Sequence, residues 1–222
     1  DYTLPSFFGR VNYSYRDRYL LSASLRHDGS SKLAPGNQWN SYPAISAGWI
    51  ISNEDFFPAS LADKLSYLKL RASWGQNGNV SSVGIGEWMN AIGSGMLYPD
   101  GNGNLIVGAA PTSLANPDLT WETGEQFDIG ADLAFFNNRL NLTVDYYKRT
   151  TKDMLTSGNA PYIAGNELRT KNAGNVVNKG WDFELTYANR AMSPRAVSYE
   201  ISANISTLHN EATVLDPNSP II

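Results

Sequence analysis

Apolar and polar residues alternate with a period of two along most of the chain. In the stretch 127–149, Phe127, Ile129, Ala131, Leu133 and Phe135 alternate with Asp128, Gly130, Asp132 and Ala134. After Asn137-Asn138-Arg139 the pattern resumes as Leu140, Leu142, Val144 and Tyr146 against Asn141, Thr143, Asp145 and Tyr147. Strands send successive side chains to opposite faces, so this reads as a two-faced hairpin. Six further runs repeat it. They are centred on Phe7–Tyr15, Tyr19–Leu25, Ile45–Trp49, Leu68–Trp74, Trp181–Tyr187 and Val197–Ile205. The chain is therefore predicted to form about eight antiparallel strands.

The connections predicted between them alternate in length. Asp17-Arg18, 137–139 and 189–195 are short, whereas 29–42, 52–64, 76–118 and 150–174 are longer. The 52–64 connection holds a "SLADKL" stretch that could form a helical turn. All the short turns then fall at one end of the sheet. Long loops are uncommon in compact soluble domains. Aromatic residues also sort by level. Tyr15, Tyr19, Phe135, Tyr187 and Tyr199 are predicted beside the short turns, and Trp74, Trp121, Tyr146 and Trp181 toward the long loops.

Alternation alone also describes a soluble sandwich. What favours a membrane barrel is the combination of three features. Charge is confined to one face at mid-strand (Arg71, Asp128, Asp132, Asp145, Asp182, Glu184), aromatics lie at two levels, and the loops are asymmetric. The apolar face then meets lipid and the charged face lines a wet lumen, with every backbone group paired between strands. Glu125 and Lys179 fall on the apolar parity. Each would cost about 2–4 kcal/mol at mid-membrane and far less at the interface, so both are expected above the hydrocarbon.

Composition narrows the classes further. The 222 residues carry 17 Lys+Arg against 21 Asp+Glu, a net charge of −4, which gives no electrostatic case for nucleic acid. Cysteine is absent, which removes disulfides and thiolate metal sites. No stretch approaches the roughly 18 apolar residues of a spanning helix, whereas a spanning strand needs only about ten. The chain starts at Asp1 with neither an initiator Met nor a signal peptide, which suggests a processed chain or an excised piece.

Catalytic chemistry finds no support. His27 and His209 are the only histidines and belong to different strands. Asp128 with Asp132, or Asp182 with Glu184, could form an acid/base pair, but carboxylates spaced along one strand face suit a lumen lining equally. The "DGNGN" at 100–104 begins like a calcium loop, yet Leu105 stands where the turn glycine belongs and Pro111 where the bidentate Glu belongs. "GIGEW" (84–88) lacks the third glycine of a phosphate loop, and "ANPDLTWE" (115–122) reads as a turn leading into a strand. The expectation is no catalytic residue, no metal and no cofactor. Trp39, Trp88 and Tyr98, predicted among Gly, Asn and Ser of the long loops, are the candidate ligand contacts.

Four stretches, 19–57, 68–79, 116–155 and 172–189, resemble the SusC/RagA-like TonB-dependent outer-membrane transporters of Bacteroidetes. They follow the family's order and cover most of the chain. Residues 80–115 and 156–170 match no pattern of the family, as expected of ligand-specific loops. "DGSSKL" carries Lys32-Leu33 where the family usually shows Arg-Phe, which keeps the charge and loses an aromatic ring.

The resemblance implies a non-enzymatic importer of glycans or peptides in the outer membrane of a Gram-negative cell. Its barrel would have about 22 strands, with a plug inside, a SusD-like surface lipoprotein on top and TonB supplying energy. On that reading residues 1–222 are one partial barrel domain with no plug, signal peptide or TonB-interacting segment, and "DPNSPII" is a loop cut short. The alternatives are a soluble carbohydrate-binding β-sandwich and a complete eight-stranded membrane barrel.

Overall fold

The computed structural model describes residues 1–157, 167–168, 170–189 and 197–214. The expected 189–195 turn, the "DPNSPII" tail and much of the 150–174 connection fall outside those residues.

The chain forms β1 (Ser6–Tyr15), β2 (Tyr19–Gly29), β3 (Trp39–Ile50), β4 (Leu65–Asn79), β5 (Ala91–Pro99), β6 (Leu105–Leu114), β7 (Glu122–Phe135) and β8 (Leu140–Lys152). Then come β9 (Leu155–Ser157), β10 (Glu167–Leu168), β11 (Thr170–Asn172), β12 (Asn175–Asn189), β13 (Tyr199–Ser206) and β14 (His209–Val214). One antiparallel sheet runs in the order β1-β2-β3-β4-β7-β8-β12-β13. Beyond β13, β14 continues along the same neighbour, pairing the upper half of β12. The two β12 partners are joined through Thr207, whose backbone N–H donates to the Trp181 carbonyl at 2.8 Å. The eight predicted strands are therefore eight ribbons of one sheet. A short helical turn, α1 (Ala59–Ala62), overlaps the start of the expected "SLADKL" stretch. No helix among the described residues is long and apolar enough to cross a membrane.

Two features differ from the sequence reading. First, β3, β4, β8 and β12 run further toward the long loops than the alternation indicates. Their upper ends are polar on both parities (Asn40-Ser41, Gln76-Asn77, Arg149-Thr150), and strands that leave the apolar layer keep their ladder without needing an oily face. Second, the 76–118 connection contains the β5–β6 hairpin, and "HNEATV", which is not among the eight predicted runs, is β14.

The ladder fixes which residues share a level. One unbroken row runs Tyr15, Tyr19, Trp49, Leu70, Ala131, Val144, Phe183, Ile205. At β1–β2 this row is the last before the turn. At β12–β13 the last described pair, Asn189 with Tyr199, lies six residues further on. Six residues rise about 20 Å and six interstrand steps cover about 29 Å, so the strands tilt by about 35°. That is within the tilt of membrane barrels.

The apolar parity is not packed into a protein interior. Ile129 is 51 % exposed, Phe183 38 % and Ile201 64 %. A β-sandwich would bury these residues under a second sheet. Nor do β1 and β13 pair with each other among the described residues, as a closed eight-stranded barrel would require.

Aromatic rings cluster where the turns begin. Tyr15, Tyr19 and Trp49 stack in sequence with centroids 6.4 Å apart, and Phe56 packs edge-on to Trp49 at 6.3 Å. The Trp49 indole N–H donates to Glu54 Oε1 at 2.8 Å, turning its polar end toward the turn side. Tyr187 and Tyr199 pair at 6.1 Å at the far end of the same girdle. Trp181 packs on Tyr146 at 5.1 Å toward the loop side.

The buried core sits at the long-loop end. Leu33, Tyr42, Val80, Val83, Leu119, Trp121 and Leu155 gather there from the loops and strand ends. Trp121 is thus not a girdle residue. It is 5 % exposed, packs edge-on against Tyr42 and donates its indole N–H to the Gln38 carbonyl at 3.3 Å. The reason is position: Trp121 precedes the first residue of β7, above the apolar layer, so the strand parity does not govern it.

Candidate functional site

The charged parity carries an ion cluster across three strands. Arg71 of β4 bonds Asp132 of β7, with Nε 3.2 Å from Oδ2, and Asp145 of β8, with Nη2 2.7 Å from Oδ2. Asp145 is two strands away, about 10 Å in ladder spacing. The reach is possible because the residue between is Gly130, paired with both Arg71 and Asp145. A Cβ there would meet Asp145 Oδ1 and stand 3.0 Å from the Arg71 guanidinium carbon. Sequence reading singled out the three charges but not the glycine. The available signal was a glycine mid-strand between two aspartates, which marks a close approach.

The other lining candidates are placed around that cluster. Asp128 accepts from the Ser73 hydroxyl at 3.2 Å and from the Gln126 amide at 3.0 Å. Asp182 stands opposite Asp145 in the ladder, and Glu184 opposite Thr143. One open concavity of about 590 Å³ is lined by Arg71, Asp128, Asp145, Arg149 and Asp182, among others. Arg149 was not among the sequence candidates, because the apolar–polar alternation ends at Tyr147, with Lys148 charged on the other parity. The five carboxylates outnumber the three cations Lys69, Arg71 and Arg149 that share this parity on β4 and β8, so this face is acidic even with one ion cluster formed.

A platform of loops covers the upper end. Tyr42 lies over Gly78, where any Cβ would collide with the phenol ring. Asn37 Nδ2 donates to the Pro117 and Leu119 carbonyls at 3.2 and 3.4 Å. Asn172 Nδ2 donates to the Thr120 carbonyl at 3.0 Å while its Oδ1 accepts from the Thr120 N–H at 2.8 Å. Leu33 is fully buried in this platform, and Lys32 Nζ stands 4.5 Å over the Tyr2 ring. The Lys32-Leu33 pair thus fills a packing position and makes a cation–π contact of its own.

The three candidate ligand aromatics separate. Trp39 is the first residue of β3, not a loop residue, and shares parity with Ile45 and Trp49. It stacks on His27 at 4.9 Å and on Phe7 at 6.2 Å, on the apolar face. The strand was extended there by pairing with Gly29, which a run of polar residues conceals. Trp88 is half-buried in a turn of the 80–90 loop, and Tyr98 is exposed on β5 opposite Ile106. In the "DGNGN" turn, Asp100 Oδ1 accepts the backbone N–H groups of Asn102 and Asn104 at 2.9 and 2.8 Å. Those bonds, the Asn104 backbone bond foremost, hold the Asp100 carboxyl below its ordinary range.

The family model described as TonB dependent receptor-like, beta-barrel, matches residues 1–219. The chain belongs to the TonB-dependent receptor β-barrel family. Within it, TonB-dependent receptor P39 of Formosa agariphila is 36 % identical over 215 residues, 97 % of this chain and 20 % of that protein. TonB-dependent receptor SusC of Bacteroides thetaiotaomicron is 33 % identical over 221 residues, 96 % of this chain and 21 % of that protein. The chain thus spans about a fifth of the length of these relatives. The solved RagAB peptide transporter superposes with a TM-score of 0.82 at 30 % identity, covering 98 % of this chain and 23 % of that one. The siderophore receptor PirA of Pseudomonas aeruginosa, at 14 % identity and a TM-score of 0.59, shares the fold. The receptor's SusC/RagA-like character, read from the sequence, is thereby shown, as is its antiparallel barrel fold.

Proposed function

We propose that this chain is the wall of an outer-membrane importer of the SusC/RagA type. It seals against lipid with one face and lines the passage for glycans or peptides with the other. The observation that carries the reading is the split of the sheet: one parity is apolar, unpacked and bounded by aromatic levels, and the other holds the Arg71 cluster. An acidic wall bearing Asp128, Asp145, Asp182 and Glu184 offers hydrogen-bond acceptors to hydroxyl groups or to backbone and side-chain N–H donors. RagAB, described as a peptide importer, supports the peptide alternative, and the glycan one rests on the family resemblance read from the sequence. Substrate movement would be powered through TonB, and no residue of the chain is assigned a catalytic role.

The β5–β6 hairpin supports a protein partner above the barrel, in the place of a SusD-like lipoprotein. Its two faces carry Tyr98, Ile106 and Met96 on one side and Leu97, Val107 and Leu105 on the other, all exposed. A hairpin apolar on both sides is covered in a working assembly. Tyr98 and Trp88 are the aromatic contacts it offers to ligand or lid.

The test substitutes arginine on either side of β8 in the full-length gene product. Val144 lies in the tilted row at mid-layer, where arginine facing lipid costs about 2–4 kcal/mol. Val144→Arg is expected to block assembly of a heat-modifiable barrel in the outer membrane, and Thr143→Arg, on the wet side, to assemble normally. Equal assembly of the two variants would overturn the lipid-facing assignment.

A further inference from the structure

Two lysines face each other on the lipid side of the sheet. Lys148 of β8 and Lys179 of β12 are direct ladder partners, on the parity of Tyr146, Val144, Trp181 and Phe183. Like charges placed directly opposite each other on a sheet repel. Among the described residues neither lysine forms an ion pair. The carboxylates one outer position higher are engaged: Glu125 is held by Lys152 Nζ at 2.6 Å, and Glu211 lies 3.7 Å from His209 Nε2. His209 itself stands opposite Lys179 in the next strand. Lys148 is exposed and Lys179 half-buried.

Their level is set by the register. Lys148 lies eight residues above Leu140, which shares its row with the girdle residue Tyr187. Eight residues at about 3.3 Å, on a strand tilted by about 35°, rise about 22 Å. The apolar band of membrane barrels is about 25 Å tall. The pair therefore stands at the opposite interface, one outer position beyond the packed rings of Tyr146 and Trp181. Long lysine stems at an interface let the ammonium group reach the headgroup layer, and ladder partners hold two such stems side by side.

We propose that Lys148 and Lys179 clamp the phosphate of a lipid headgroup in the leaflet on the long-loop side. The indole and phenol of Trp181 and Tyr146 would meet the first carbons of the acyl chains below it. The inference rests on the lipid-facing reading of this parity. A phosphorylated lipid satisfies both halves of the geometry, with its anion between the ammonium groups and its chains over the rings. Free phosphate satisfies only the upper half.

The experiment uses the full-length protein purified in neutral detergent, with bis-phosphorylated lipid A or its dephosphorylated form added to the micelles. Native mass spectrometry counts the lipid retained. Wild type is expected to retain the phosphorylated form at least fivefold better than the dephosphorylated one. The double variant Lys148→Gln/Lys179→Gln should lose that preference, and the inner-wall variant Lys69→Gln should keep it. Retention of the preference by the double variant would overturn the clamp. So would its abolition by millimolar inorganic phosphate with no effect from removing the acyl chains. Assembly of each variant as a heat-modifiable barrel is scored separately. If the double variant assembles but shows unchanged lipid preference, the clamp fails while the lipid-facing assignment stands.

Discussion

At the scale of single residues, the charged face depends on an absent side chain. Arg71 can bond both Asp132 and Asp145 only because Gly130 leaves the path across β7 empty. Charge-assisted hydrogen bonds of this kind contribute about 1.5–3 kcal/mol each when well formed. All three side chains are about a quarter to a third exposed, which places the cluster toward the low end of that range. Gly130→Ala puts a methyl group against Asp145 Oδ1, which is buried and has no other partner in the structure. The variant is expected to lower the unfolding midpoint of the barrel by an amount matching about 1–2 kcal/mol. Arg71→Met, which keeps the stem and drops the charge, should lower it similarly. The Gly130→Ala/Arg71→Met double variant should cost little more than either alone, because both remove the same bridge. Additive losses in the thermal unfolding of the detergent-solubilised protein would show that Gly130 acts elsewhere.

At the scale of elements, the turn side is held by a clamp between two connections. Arg18, in the β1–β2 turn, donates Nη2 to Asp55 Oδ1 at 2.6 Å and Nη1 to Glu54 Oε2 at 3.1 Å, in the segment after β3. The Arg18 hydrogen bond lowers the Asp55 carboxyl from its ordinary range. Tyr19 first, then Trp49 and Arg18, lower that of Glu54. A carboxyl depressed on folding stabilises the fold above its unfolded value near pH 4, and that contribution is lost as pH falls through the folded value. The clamp should therefore hold at neutral pH and open below about pH 4. Comparing the melting of wild type with Asp55→Asn across a series from pH 7 to well below pH 4 checks this: the two should differ at pH 7 and draw together as pH falls. The same region shows what the sequence made legible. Tyr15, Tyr19, Tyr187 and Tyr199 announced the girdle, because rings with one polar end have a preferred level at an interface. Arg71, Asp132 and Asp145 announced a shared charged face, because parity survives any register. Gly130, the β5–β6 hairpin and the places of Trp39 and Trp121 were not legible. They depend on register between strands, or on chain that has left the apolar layer, where nothing in the environment forces a period of two.

At the scale of the whole molecule, tilt is the property that no single strand displays. The row from Tyr15 to Ile205 is horizontal in hydrogen-bond register but oblique to the two girdles. Tyr19 borders a turn, while Phe183, five strands along the same row, lies six residues inside Asn189. Five interstrand steps of about 4.8 Å at a tilt of about 35° place Phe183 about 14 Å deeper than Tyr19 along the membrane normal. These 222 residues carry no cysteine, so a cysteine placed among them meets no competing thiol within the segment. Single cysteines at Tyr19, Leu70 and Phe183, introduced into the full-length protein and spin-labelled in bilayers, report depth through collision with oxygen and with a water-soluble nickel chelate. Phe183 is expected to be the most protected from nickel, Tyr19 the least, with Leu70 between them. A sheet whose strands stand upright would give the three labels one depth. That result would remove the 35° tilt, while Lys148 and Lys179, eight residues above the turn-side girdle, would still stand near the upper interface, because eight residues rise about 22 Å tilted and about 26 Å upright.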